Sequence, residues 1–187
     1  MFRRPVPVAL IIAVVALAAS CRRSPTVPAA PAVGLAAIRP GDETGTKMAH
    51  YAEQAAIDAG QRFGTLLDFT PQSVESVEKV LDSLTRAKNF QGYDDKDTRA
   101  EALIFGAYIG EVIRREHGGE WSKDHLQAGP ATYPLHWDGH DSFPYNWCYK
   151  RLTQGESENV WHKYQYFVMK KVDPNVKVEV TNQKLPQ

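Results

Sequence analysis

The sequence predicts an α+β fold in which helical segments are followed by a small antiparallel sheet and a C-terminal helix. Three observations carry this. Apolar residues recur at i, i+3 and i+4 through successive segments ahead of residue 118. From Glu120 that rhythm gives way to short runs at Trp121, 133–137 and 142–145, broken by Gly, Pro and the turn pair Asp138-Gly139. Beyond Gly155 the helical rhythm returns. Hydrophobic residues make up 43% of the 187, with four Trp, eight Tyr and seven Phe, enough for the core of one domain. Basic and acidic residues balance at 22 each, so no electrostatic argument points to a nucleic-acid partner.

The chain opens on "MFRRPVPVALIIAVVALAASC", a basic start, an apolar stretch over 6–19 and small residues before Cys21. At about 1.5 Å per residue the stretch falls short of a ~30 Å hydrocarbon core, which favours a signal peptide over 1–20. Leu17-Ala18-Ala19-Ser20-Cys21 resembles a bacterial lipobox, whose Cys is diacylated through its sulfur and becomes the mature N-terminus. Leu17 stands one place further from the Cys than that pattern has it. Ala18 and Ser20 also satisfy a small-x-small rule, so lipidation at Cys21, a secreted soluble form and an uncleaved anchor are all open. With Cys21 acylated, Cys148 has no disulfide partner and is expected to be a buried core thiol. Arg22 after the Cys does not resemble the Asp signal for inner-membrane retention, so a Gram-negative host would place the protein at the outer membrane, facing the periplasm.

Residues 21–46 are rich in Pro, Ala and Thr and lack aromatics, the composition of an extended tether. The folded domain is expected over 47–172. An Ala-rich helix over 48–63 comes first. A second follows, with Thr70 as its N-cap, Pro71 at its first position, and Val74, Val77, Leu81 and Leu84 inward. Residues 89–97, with Gly92 and a run of acids, read as a loop before a third helix over 98–117. In that helix residues 102–110 carry no charge, so protein must surround it. Gly106 and Gly110 lie on one face, where missing side chains admit another backbone, from within the chain or from a second copy. Gly118 and Gly119 suit its C-terminal stop.

In the segment from Glu120, Pro144 either continues the sheet or opens a helix through Leu152. Ser157 is placed to cap a last helix through Met169, with Val160, Trp161, Tyr164, Phe167 and Val168 inward. The tail, 173–187, contains the alternating "NVKVEVTN", one possible edge strand.

"GAYIGEVIRREHGGEW" followed by "YKRLTQGESENVWHKY" resembles a family of small uncharacterised bacterial domains. These pair a helix of the form G-[AS]-[YF]-[LIV]-G-E-[VI]-[LI]-R, ended by G-G-x-W, with a downstream Lys-Arg stretch. The resemblance spans 73–168 and implies a single α+β domain without a known activity.

Two constellations bear on chemistry. His136, Asp138 and His140 alternate, as ligands on one strand face do, although the Asp-Gly turn between them redirects His140. Glu111 is the first charge after the apolar run, with Arg114 and Arg115 within one turn; together with Arg114, Lys150 and Arg151, the last two across the fold, it reads as a structural ion pair or a partner-binding set. No phosphate loop, nucleophile elbow, His-Glu-x-x-His or Cys-x-x-Cys occurs in the sequence. The expectation is a lipid-anchored envelope protein without a cofactor. Its domain binds an envelope protein or a wall component through an aromatic surface drawn from Trp121, Tyr133, Trp137, Tyr145, Trp147 and Tyr149. A metal-dependent hydrolase built on His136, Asp138 and His140 is the alternative.

Overall fold

The computed structural model describes residues 42–91 and 94–178, the side chains of 88–91 excepted. Cys21, the signal segment and nearly all of the tether lie outside these residues. The first helix, α1 (Glu43–Phe63), starts ahead of the expected Met48 because the Asp42 side chain accepts the Gly45 N–H at 2.6 Å and caps it. Its buried residues Met48, Ala52, Ala55 and Ala59 form one face, small in all but Met48.

A turn leads into α2 (Ser73–Gln91). Thr70 does not cap it as expected, because its hydroxyl donates back to Asp68 at 2.7 Å. The Thr70 carbonyl instead accepts the Ser73 N–H at 3.0 Å and the Ser73 hydroxyl at 2.6 Å. Val74, Val77, Leu81 and Leu84 are buried, as their spacing requires. Part of the expected loop over 89–97 is helical: α2 runs to Gln91, and α3 (Asp95–His117) starts early because Asp94 accepts the Asp97 N–H at 2.8 Å.

Helix α3 packs most extensively against α1 and α4 (Pro144–Gln154). The chain thus takes the helical course at Pro144, with the proline in the first turn where its missing N–H costs nothing. Gly106 and Gly110 are close-contact positions within the chain. A Cβ on Gly106 would lie 2.6 Å from the Tyr145 Cα, and one on Gly110 would overlap the far edge of the Trp121 indole. Gly118 stops α3 at φ +76°, its N–H on the Arg114 carbonyl at 2.9 Å.

Between α3 and α4 lies a three-stranded antiparallel sheet of β1 (Glu120–Trp121), β2 (Leu135–Trp137) and β3 (His140–Ser142), in that order. Asp138 and Gly139, at φ +44° and +70°, form the two-residue turn with positive φ that matches strand twist. It sets the register His136 opposite Asp141 and Trp137 opposite His140. Period two then sends Trp121, Leu135, Trp137 and Ser142 into the core and leaves Glu120, His136 and Asp141 on the outer face.

After a 3₁₀ turn over Glu156–Glu158, Asn159 rather than Ser157 caps α5 (Val160–Tyr164), accepting the His162 N–H at 2.9 Å. Ser157 sits inside the 3₁₀ turn and cannot serve. The helix continues through a π-helical turn (Gln165–Met169) into α6 (Lys170–Val172). Val160, Tyr164 and Val168 are buried, Trp161 and Phe167 partly so. Residues 173–178 form a turn rather than a strand, the Val176 N–H bonding the Asp173 carbonyl at 3.1 Å. The rest of the expected edge strand lies outside the described residues. Among the described residues no helix is long and apolar enough to cross a membrane.

Candidate functional site

Glu111 is fully buried on α3. Its carboxylate accepts Arg114 Nε and Nη2 at 2.7 and 2.8 Å and Trp121 Nε1 at 2.9 Å, while Arg115 Nε stands 3.9 Å away. Its partner is therefore Arg114, one turn along the same helix, and neither Lys150 nor Arg151 across the fold. The reason is the direction in which α4 faces. Arg151, 2% exposed, points at α2, donating Nε to Glu78 at 2.6 Å and Nη2 to Asp82 at 3.0 Å, whereas Lys150 is exposed. The second Glu78 oxygen accepts the Val160 N–H at 2.8 Å, so this carboxylate joins α2, α4 and the start of α5. Burial raises its pKa against the pull of Arg151. Both Glu111 and Arg151 hold the frame together from inside.

The expected aromatic surface is largely interior. Trp121, Trp137 and Trp147 are buried: the first two by strand alternation, Trp121 with its ring over Gly110, and Trp147 in the core beside the Phe167 ring. Cys148 is buried and free, and that burial pushes its thiol well above the usual range, leaving it inert as expected. Three of the named rings remain half-exposed and adjoin one another. Tyr133 meets Tyr145 edge-on at 5.8 Å, and Tyr145 stacks with Tyr149 at 6.3 Å between centroids. Arg99 lies 4.7 Å over the Tyr149 ring and donates Nε to Asp95 at 2.7 Å. The Tyr149 hydroxyl also donates to Asp95, at 2.8 Å, and that bond raises the phenol pKa. Arg99 and Asp95 were not singled out in the sequence; their place one helical turn apart at the start of α3 was the available signal.

His136, Asp138 and His140 do not converge: His136 is on the outer face of the sheet, whereas His140, opposite Trp137, is on the other face. Asp138 is in the turn, and the His140 ring meets Trp137 edge-on at 5.7 Å. Among the described residues no group of three or more His, Cys, Asp or Glu side chains is arranged to hold a metal ion. His136 joins a different set. Its Nδ1 bonds Asp141 Oδ1, and its Nε2 lies 3.1 Å from Ser122 Oγ. The other Asp141 oxygen takes His125 Nε2 at 3.1 Å. His125 Nδ1 accepts the N–H groups of Gln127 and Ala128 at 3.2 and 3.0 Å, so the ring hydrogen sits on Nε2 and is donated to Asp141.

Neither a family model, nor a curated protein, nor a solved structure matches the chain. Function is therefore read from these side chains.

The bond from His136 holds the Asp141 carboxyl below the usual carboxylate range, and His125 adds to the effect. An ionised Asp141 accepts from both imidazoles. In a neutral His136 ring that bond puts the hydrogen on Nδ1 and leaves Nε2 to accept from the Ser122 hydroxyl. Asp141 was legible in principle, since an Asp-Gly turn at 138–139 pairs 136 with 141. Ser122 was not. Its place depends on the two-residue β1 and on its N–H bonding the Pro134 carbonyl at 3.0 Å, which no sequence period announces.

Proposed function

We propose that the chain is a lipid-anchored bacterial envelope protein whose domain is a binding module for an envelope protein or a wall component. The half-exposed tyrosine cluster carries the binding part of this reading. Tyr133, Tyr145 and Tyr149 hold one another, and Arg99 and Asp95 fix Tyr149, so an aromatic surface stands ready without side chains to be ordered on contact. The anchor rests on the lipobox-like stretch ending at Cys21, which lies outside the described residues. Membership of the small bacterial family of the "GAYIGEVIR" and "KRL" motifs is part of the same proposal. It is supported by where the motif residues fall: Gly106, Gly110, Glu111 and Arg151 each make a contact on which the packing depends.

Two measurements test the reading. Cys21→Ser should move the protein out of the membrane fraction; mature protein that stays bound as a lipid-modified species refutes the anchor. Tyr145→Ala with Tyr149→Ala should abolish co-sedimentation with purified wall, or cross-linking to a defined envelope protein. Retention of each partner by the folded double variant refutes the tyrosine surface.

A further inference from the structure

We propose that Ser122 is a nucleophile activated by His136, giving the domain an esterase or acyl-transfer activity on uncharged carboxylic esters, a function separate from binding by the tyrosine cluster. The case rests on the order of contacts. A hydroxyl lies 3.1 Å from one nitrogen of an imidazole, and the other nitrogen is bonded to a carboxylate. That order lets the ring take the hydroxyl proton while the carboxylate holds it in the required tautomer. Asp141 is itself fixed, because His125 occupies its second oxygen and two backbone N–H groups lock the hydrogen of His125. His125 is held further by a perpendicular contact with the Phe143 ring, 5.1 Å between centroids. Such a supporting layer is what a catalytic imidazole requires and what a solvated surface pair does not need.

Ser122 Oγ attacks the ester carbonyl carbon, and its proton passes to His136 Nε2. The carbon–oxygen bond to the alcohol breaks, the departing alkoxide takes the proton from Nε2, and the acyl group remains on Ser122. Water then attacks the acyl carbon and gives a proton to Nε2. The carboxylic acid leaves, and Ser122 Oγ recovers its proton from His136. Ser122 and His136 touch the reacting atoms; Asp141 and His125 are positioning residues. Glu120 and Asp141 share the outer face with His136, so an anionic ester meets like charge and a neutral one does not. The side chain of His136 is 41% exposed, which suits an ester carried on a bulky molecule, with an alkoxide leaving group easier to expel than an amine.

The test uses the full chain in detergent with p-nitrophenyl acetate, followed by acid quenching and peptide mapping. The expected results are acetyl on Ser122 and p-nitrophenolate release that falls by about 10²-fold or more in Ser122→Ala and in His136→Gln. Asp141→Ala should slow acetylation of Ser122 and Asp141→Glu should restore part of it; recovery that fails overturns the positioning role of Asp141. Acetyl found on histidine or lysine but not on Ser122 of the wild-type protein overturns the proposal, and that mapping needs no variant to fold. Release unchanged in a folded Ser122→Ala does the same. Wall or partner binding is scored on the same preparations, so loss of esterase with intact binding, or the reverse, shows which of the two readings fails.

Discussion

Removing Glu111 should be among the most damaging single changes in the domain, and the size of the loss follows from what it leaves behind. Glu111→Ala strips the acceptor from three donor groups: Arg114 Nε, Arg114 Nη2 and Trp121 Nε1. The indole N–H is inside the core, where an unmet donor costs about 1–3 kcal/mol. The Arg114 side chain is 16% exposed, so it can turn part of its charge to water, which limits its share. Breaking a buried pair costs about 3–5 kcal/mol, and the lower half of that span is expected here. Glu111→Gln keeps an acceptor for Trp121 but sets an amide N–H₂ against the guanidinium, so it should fall between wild type and Glu111→Ala. The assay is chemical denaturation of the wild type, the single variants and two double-mutant cycles. Glu111→Ala with Arg114→Met should be non-additive by about 1 kcal/mol or more, whereas Glu111→Ala with Arg151→Met should add within about 0.5 kcal/mol. A loss under about 1 kcal/mol for Glu111→Ala, the range of an exposed pair, refutes the buried clamp, and so does coupling to Arg151 in place of Arg114.

Gly106→Ala and Gly110→Ala should each lower the melting midpoint: overpacking costs about 1–3 kcal/mol and outweighs a helix-propensity gain of ~1 kcal/mol. Leucine at either site should be worse, and an unchanged or raised midpoint for alanine would mean that no close contact exists there. In a spectrophotometric titration Tyr108 and Tyr164 should ionise late, because burial pushes the Tyr108 phenol up to about 12 and moves Tyr164 in the same direction. A folded pKa above the unfolded value of about 10 gives stability that is full below that pH and is lost as pH rises through about 12, so their ionisation should coincide with alkaline unfolding. Ionisation of Tyr108 and Tyr164 near pH 10 in folded protein would contradict this.

What could be read in the sequence was what local chemistry decides. The spacing of Val74, Val77, Leu81 and Leu84 fixed their inward face, and Asp138-Gly139 fixed the hairpin. Helix starts were harder because several residues could cap and only one has its side chain aimed at the first turn. Asp42, Asp94 and Asn159 do so, whereas Thr70 is held by Asp68 and Ser157 lies inside a 3₁₀ turn. The partners of Glu111 and Arg151 depend on which way α4 is rotated against α2 and α3, which is a tertiary quantity. Arg114 lies within reach of the i, i+3 rule, but local spacing does not separate it from a cation across the fold as partner for a charge beside an apolar run. The tryptophans were misplaced for a related reason. Large aromatics near turns resemble a binding surface until the space that receives them is known, and the space for Trp121 is made by the missing side chain of Gly110.

The two glycines of α3 therefore do more than permit packing, since each supports a different one of the two proposed sites. Gly106 lies against the Tyr145 backbone, and the Tyr145 ring is the middle of the tyrosine cluster, in contact with both Tyr133 and Tyr149. Gly110 lies under Trp121, whose indole is held by Glu111 and whose chain neighbour is Ser122. A side chain at position 106 pushes on the start of α4 and reaches the cluster first. One at 110 tilts Trp121 and displaces Ser122 from the His136 ring before it disturbs the tyrosines. Gly106→Ala should then weaken binding more than acetylation of Ser122, and Gly110→Ala should do the reverse, in variants matched for how much stability they lose. Equal damage to both functions from either glycine would mean that α3 acts as a single rigid support, with its two notches unconnected to separate sites.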